Sequence, residues 1–243
     1  MGCVQLPRGS IYNSKFQIGA RRVSRRKQVR DLDFFQRRIA QAIEYRARRG
    51  INPRLCRLVW SESDGLPGVI VDRYGDHLVL QTLTLAMDQR KELIVRASEA
   101  ESIIERNDAP VRRAEGMELQ SGMLRGEPPG AVEIEVAGLK LQIDLLHSQK
   151  TGFYLDQLPN YELVAAQARG RTVLDCFTSQ GGFALACARA GASEVVGVEA
   201  GAESIRAAEQ NAVRNQLSVR WVEQDVFQFL RGTEKAEEKF DLI

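Results

Sequence analysis

Val173-Leu174-Asp175-Cys176-Phe177-Thr178-Ser179-Gln180-Gly181-Gly182-Phe183 decides the reading of this 243-residue chain. An apolar run with strand character enters a glycine turn, and the turn opens a helix. Open α/β sheets hold nucleotide cofactors at such a turn. The surrounding pattern predicts a helix from Gln157 to Ala168, then a strand from Thr172 to Phe177 and a helix from Phe183 to Ala190. It continues with a strand from Glu194 to Glu199, a helix from Ser204 to Asn215 and a strand from Val219 to Glu223. Strand and helix in alternation mean a parallel sheet with right-handed crossovers. Phe240-Asp241-Leu242-Ile243 reads as the start of a fourth strand. The fold class expected is therefore α/β, a Rossmann-like domain shown by its first three to four parallel strands, preceded by an α+β domain.

A glycine pair behind a strand is a weak signal alone, and two spaced acids strengthen it. Glu199 closes the next strand, 24 residues after Asp175, where a carboxylate can accept both hydroxyls of a ribose. Asp225 follows the third strand, where an acid can accept from an adenine amino group, with Val226 available to lie against the ring. The competing view treats these acids as caps and turn residues only. A dinucleotide's pyrophosphate wants backbone donors with no carboxylate beside them. Asp175 stands at the mouth of this turn, and the third fingerprint glycine is missing. Such a turn suits the ammonium and sulfonium of S-adenosylmethionine better than a diphosphate. The expected cradle is Asp175, Phe177, Thr178, Gly181, Gly182 and Phe183, with Glu199, Asp225 and Val226.

Upstream the grammar differs. A helix is expected from Asp33 as cap, with Phe34, Phe35, Ile39, Ala42 and Ile43 at three-to-four spacing, ending near Gly50. Strands are expected from Arg57 to Glu62, Val69 to Asp72, His77 to Leu83 and Ser102 to Arg106, with a helix from Asp88 to Glu101. Gly116 to Gly130 reads as a polar connection. Val132 to Val136 and Leu139 to Asp144 then alternate cleanly around Ala137-Gly138, a hairpin with one face buried. Residues 1–30 read as short and irregular. The expected organisation is 1–30, 31–145 as an α+β domain, and 146–243 as the cofactor-binding part.

Charge is unevenly spread. Residues 1–50 hold 13 Lys/Arg against Asp31, Asp33 and Glu44, a net +10, while the whole chain carries only +2. The run containing Arg21, Arg22, Arg25, Arg26 and Lys27 is the densest part and fits a phosphate-backbone contact, a solvated charged face being the plainer alternative. No apolar stretch approaches the twenty residues of a membrane-spanning helix, and no signal core opens the chain. Met1-Gly2-Cys3 lacks the Ser or Thr of a lipidation site, having Leu6 there. Four scattered cysteines and two histidines give neither a metal site nor a disulfide framework. A soluble cytoplasmic protein with no membrane partner and no metal is expected.

His147-Ser148-Gln149-Lys150-Thr151-Gly152-Phe153-Tyr154-Leu155-Asp156-Gln157, taken with the glycine turn, resembles the ribosomal RNA cytosine-C5 methyltransferase family. Its members join a PUA domain, a central α+β domain and a Rossmann-like methyltransferase domain. Asp64-Gly65-Leu66-Pro67-Gly68-Val69-Ile70-Val71-Asp72-Arg73-Tyr74-Gly75 and Ile104-Glu105-Arg106-Asn107-Asp108 are similar to the central domain, and Tyr12-Asn13-Ser14-Lys15 with Ala20-Arg21 to the end of the PUA domain. The resemblance implies that 1–30 is a PUA remnant, that ribosomal RNA is the partner, and that Lys150, Thr151, Tyr154, Asp156 and Gln157 line the methionine end of the cofactor. Leu158 and Tyr161 stand where the family often has arginine, and Gln180 where it often has threonine.

The resemblance also implies a mechanism. A cysteine thiolate adds to C6 of the pyrimidine, C5 takes the methyl group, and a base removes the C5 proton, after the nucleotide has been reached in a single strand or flipped out. The family's Asp-Pro-Pro motif and its nucleophile follow a segment like Phe240–Ile243, so the catalytic residues are expected beyond Ile243 and none is named here. Cys176 and Cys187 read as small core residues. A fragment without transfer activity of its own is expected, and a homodimer is compatible with the sequence. Two alternatives stand beside this: a different methyl acceptor, an amine or a small molecule, and a non-catalytic RNA-binding module using the basic strip.

Overall fold

A computed structural model describes residues 10–12, 20–23, 28–147 and 151–243. The segment expected to be irregular contains an antiparallel ribbon, β1 (Ser10–Tyr12) and β2 (Ala20–Arg22), with Ser10 opposite Arg22 and Tyr12 opposite Ala20. Strands of three residues are too short to show an alternating pattern. Beyond the ribbon the chain divides into two units, 1–132 with 143–155, and 133–142 with 156–243.

In the first unit, α1 (Leu32–Arg48) starts two residues earlier than its pattern suggested. Asp31, not Asp33, is the cap, its carboxylate accepting from Phe34 N at 3.0 Å, and Asp33 instead pairs with Arg37 one turn on. The buried stripe runs Phe35, Ile39, Ala42, Arg46, so Ile43 falls outside it and is exposed. β3 (Leu55–Trp60), β4 (Val69–Tyr74) and β5 (His77–Thr82) follow as antiparallel neighbours. The single helix expected next is two, α2 (Leu85–Asp88) and α3 (Lys91–Ala97). β6 (Ser102–Asn107) pairs parallel with β5, and the short α4 (Val111–Ala114) leads to β7 (Gln120–Arg125), antiparallel to β6. The expected polar connection thus holds the fifth strand of a sheet ordered β3-β4-β5-β6-β7. An edge strand with half-exposed residues on both sides does not announce itself by hydropathy.

One core joins Phe34, Phe35 and Ile39 of α1, Ile94 of α3, and Val59, Val71, Leu78 and Ile103 of the sheet. Residues 143–155 are tied to the same unit by Arg106, which donates to Leu145 O at 3.1 Å, and by Tyr74, whose hydroxyl accepts from Phe153 N at 2.9 Å.

β8 (Ala131–Val136) and β9 (Leu139–Asp144) form the expected hairpin, turning at Ala137 (φ 49°) and Gly138 (φ 73°), the left-handed pair that a two-residue turn requires. Residues 133–142 group with the second unit. Amides of α7 (Ala202–Asn215) take up the backbone of β9: Lys140 N donates to Asn215 Oδ1 and Gln142 N to Asn211 Oδ1, both at 2.9 Å. Side-chain amides here satisfy a strand edge that would otherwise be left unpaired.

The second unit continues with α5 (Leu158–Ala168), β10 (Thr172–Cys176), α6 (Gly182–Arg189) and β11 (Glu194–Glu199), then α7, β12 (Arg220–Glu223) and α8 (Val226–Lys235). β10, β11 and β12 are parallel and adjacent in that order. Val173 bridges in parallel to Leu242, and Leu174 N donates to Leu242 O at 2.9 Å. Succession therefore runs outward from β10 to β12 on one side, then returns to β10's other side. Open α/β sheets bind ligands at the carboxyl ends of the strands where that reversal occurs. Ala168, Val173, Ala184, Cys187 and Val195 pack one sheet face, and Leu174, Val196, Val198, Val226 and Phe229 the other.

Candidate functional site

The reversal puts the turn after β10 at the carboxyl-end crevice of the sheet. Phe177 (φ 58°), Ser179 (φ 52°) and Gly181 (φ 84°) all adopt left-handed backbone. For two non-glycine residues in five this is strain of roughly 1–2 kcal/mol each, held in place by specific bonds. Thr178 N donates to Val198 O at 3.1 Å, and Ser179 N donates to the Glu199 carboxylate at 3.1 Å. Glu199 also accepts from Ala200 N and Gly201 N, at 2.9 and 3.2 Å. A carboxylate offers about four lone-pair sites, so a fixed acceptor remains at the tip of β11.

Asp175 caps α6. Its Oδ2 accepts from Ala184 N at 3.0 Å and from the Thr178 hydroxyl, while the helix's own cap position is the side-chain-free Gly181. Burial pushes its acid up to about 6, against the lowering effect of the Thr178 and Ala184 bonds, and the nearby Glu199 adds to the rise. Asp225 is exposed and caps α8 through Gln228 N at 2.9 Å. Among the described residues no cation pairs with any of these three acids.

The glycines have another purpose than close approach to a ligand. A Cβ on Gly182 would stand 2.8 Å from the Tyr161 ring, one on Gly181 2.7 Å from Trp221, and one on Gly197 2.4 Å from Trp221. Tyr161 is buried and lies against Phe183, ring centroids 4.3 Å apart. Tyr161, at a place where arginine is often found, thus packs as an aromatic wedge behind the turn. Val226 is 1% exposed within the core, so its side chain is not on offer to a ring. Its neighbour Phe227 is 61% exposed and meets the 59% exposed Phe177 edge-on at 5.9 Å. Reading the sequence missed Phe227, Trp221 and Gly197; the first lay one position beyond Val226.

The upstream candidates are dispersed. Thr151 is buried and its hydroxyl donates to Asp72 at 2.6 Å, inside the first unit. Tyr154 is exposed, Asp156 and Gln157 form a turn before α5 with Asn160 donating to Gln157 Oε1 at 2.9 Å, and Lys150 lies outside the described residues. Arg21 and Arg22 fall in β2, and Arg25, Arg26 and Lys27 lie outside the described residues. Burial pushes the Cys187 thiol up to about 11 and raises that of Cys176, so neither is poised as a thiolate. Among the described residues no three His, Cys, Asp or Glu could hold a metal ion. Among them too, no helix is long and apolar enough to cross a membrane.

The model of the S-adenosylmethionine-dependent methyltransferase family matches residues 109–231. The chain belongs to that family. Methyltransferase relatives surround it in sequence: "Ribosomal RNA large subunit methyltransferase I" of Escherichia coli O139:H28 is 38% identical over 225 residues, covering 88% of this chain and 56% of the relative. The protein of the same name from Shigella boydii serotype 18 is 39% identical with the same coverage. The chain therefore spans about half the length of these curated relatives. In structure, a Streptococcus mutans protein assigned to the SAM-dependent methyltransferases superposes with TM-score 0.81 at 22% identity, over 96% of this chain and 63% of that one. SMU.776, solved in complex with SAH, superposes with TM-score 0.81 at 21% identity, over 96% and 62%. At such identities the likeness concerns the fold, which is the mixed α/β, Rossmann-like methyltransferase fold.

Proposed function

We propose that the chain binds S-adenosylmethionine at the tips of β10 and β11 and serves the methylation of large-subunit ribosomal RNA at cytosine C5. The observation that carries the cofactor part is a set of carboxylates at the strand reversal with no cation paired to them among the described residues. A sulfonium and an ammonium supply that charge. Glu199, pinned by three backbone amides, accepts from a ribose hydroxyl through its remaining lone pair; Asp175 sets the field for the cationic end; Asp225 takes the adenine amino group. S-adenosylmethionine, when bound, supplies an activated methyl group. Lys150, Tyr154, Asp156 and Gln157 are included on the family resemblance. Thr151 is not, since its hydroxyl is committed to Asp72.

The RNA part of the proposal is supported by the names of relatives 38–39% identical to this chain and by the +10 charge of residues 1–50, of which 1–30 are read as the end of a PUA domain. A cytoplasmic location accords with that substrate. Burial raises every cysteine among the described residues, Cys56, Cys176 and Cys187, and we propose that these 243 residues alone transfer no methyl group. Calorimetry with S-adenosylhomocysteine tests the cofactor reading. Wild type should bind, and Glu199→Ala should bind at least about 10-fold more weakly, the cost of losing a charged hydrogen-bond acceptor. No heat from the wild type would overturn the assignment.

A further inference from the structure

Trp60 ends β3, the edge strand of the first unit's sheet, and leaves 48% of its surface to solvent. Single exposed aromatics are ordinary on protein surfaces; what sets this one apart is how firmly it is held. The Arg57 guanidinium lies 4.3 Å from the indole ring centroid. Arg57 is itself clamped, Nε to Asp72 Oδ1 at 2.7 Å and a terminal nitrogen to Oδ2 at 2.9 Å, and Asp72 is fully buried. Thr151 completes that carboxylate's partners at 2.6 Å. On the backbone side, Trp60 N donates to Asp64 Oδ2 at 2.6 Å. Asp64 is held in turn by Arg46, through bonds of 2.8 and 3.1 Å. The following residue, Ser61, is left-handed at φ 46°.

A half-exposed indole is thus immobilised from both its ring and its backbone before any ligand arrives. Orienting an aromatic is part of what stacking costs, and here that cost is already met. The guanidinium beside it is planar and already neutralised by Asp72, so the surface offers a flat apolar face rather than a net charge. Unpaired nucleobases stack on aromatic side chains displayed by sheets and on arginine planes. We propose that Trp60, backed by Arg57, is a stacking platform for an unpaired nucleobase of the RNA substrate. The proposal rests on the ribosomal RNA reading and adds a contact outside the methyl-transfer site.

The test uses the full 243-residue chain, a labelled unstructured 12-nucleotide pyrimidine RNA and an abasic oligomer of the same length. Wild type should bind the base-bearing RNA roughly 10-fold or more tightly than the abasic one, in line with stacking of one base. Trp60→Leu should erase that gap and Trp60→Phe should keep most of it. The dependence of affinity on salt should be the same in all three, because no phosphate contact is removed. Tryptophan emission of the wild type, with that of Trp60→Phe subtracted, should be quenched by the base-bearing RNA; this reading does not depend on whether Trp60→Leu folds. RNA binding that is intact, equal in Trp60→Leu and without quenching sinks the platform and leaves the ribosomal RNA reading standing. Binding of neither oligomer by the wild type sinks both.

Discussion

Buried acids behave in opposite ways in the two units. In the first, four buried or half-buried acids have a cation. Asp72 is clamped by Arg57, Asp64 by Arg46, Asp88 by the fully buried Arg112, and Glu105 by Lys91. Burial alone would raise the Asp88 acid, yet bonds from Arg112 and Thr82 leave it below the ordinary range. In the second unit, the donors to Asp175 and Glu199 among the described residues are amides and a hydroxyl, and Asp175 is driven up to about 6. Charge that is compensated within the fold serves architecture, and charge left uncompensated there awaits a ligand of opposite sign.

The largest effect is expected at the paired acids of the first unit. Asp72→Ala strands the Arg57 guanidinium and frees Thr151, and should cost about 3–5 kcal/mol in urea unfolding, the usual penalty for breaking a buried pair. A loss below about 1 kcal/mol would mean that the clamp contributes little.

Asp175→Asn is expected to do the reverse. The amide oxygen still accepts from Ala184 N, while the charge that burial disfavours is gone. An acid raised from 3.8 to about 6 lowers stability as pH rises through that window, by about 1.4 kcal/mol per unit. At pH 7 the variant should therefore be about 2 kcal/mol more stable than wild type. It should at the same time lose S-adenosylhomocysteine affinity. Higher stability with unchanged affinity would detach Asp175 from the ligand.

The smallest effect sharpens the same point without mutation. Protonation of Asp175 removes attraction for a cationic ligand, so S-adenosylmethionine affinity should fall about 10-fold from pH 7 to pH 5, from the acid's titration near 6. Over that range this group's contribution to stability moves the other way and increases. Calorimetry and thermal unfolding at both pH values measure the two trends, and affinity that is flat with pH would count against the electrostatic account.

Legibility followed the length of each pattern. The strand and helix sequence from Gln157 to Glu223 was readable because buried parallel strands form continuous apolar runs, and β11 matches its expected bounds, Glu194–Glu199. The edge strand β7 and the three-residue β1 and β2 have no such signature. Asp31 was passed over as cap because Asp33 sits two residues away with the same chemistry, and only the backbone decides which carboxylate reaches Phe34 N. The acids of the site were legible as residues, with capping as the competing reading; which amides Asp175 and Asp225 accept from was not.

By itself the sequence determined the order of strands and helices, the glycine turn and the spacing of its acids, since these depend on local periodicity and on residue chemistry. Tertiary structure alone decided that Val173 meets Leu242, so that the turn stands where the sheet reverses. It also decided that Gly181 and Gly182 make room for Trp221 and Tyr161, and that Thr151 answers to Asp72. Those pairings join residues 21 to 79 positions apart in the chain, and separation of that kind leaves no trace in local pattern because packing, not periodicity, selects the partner.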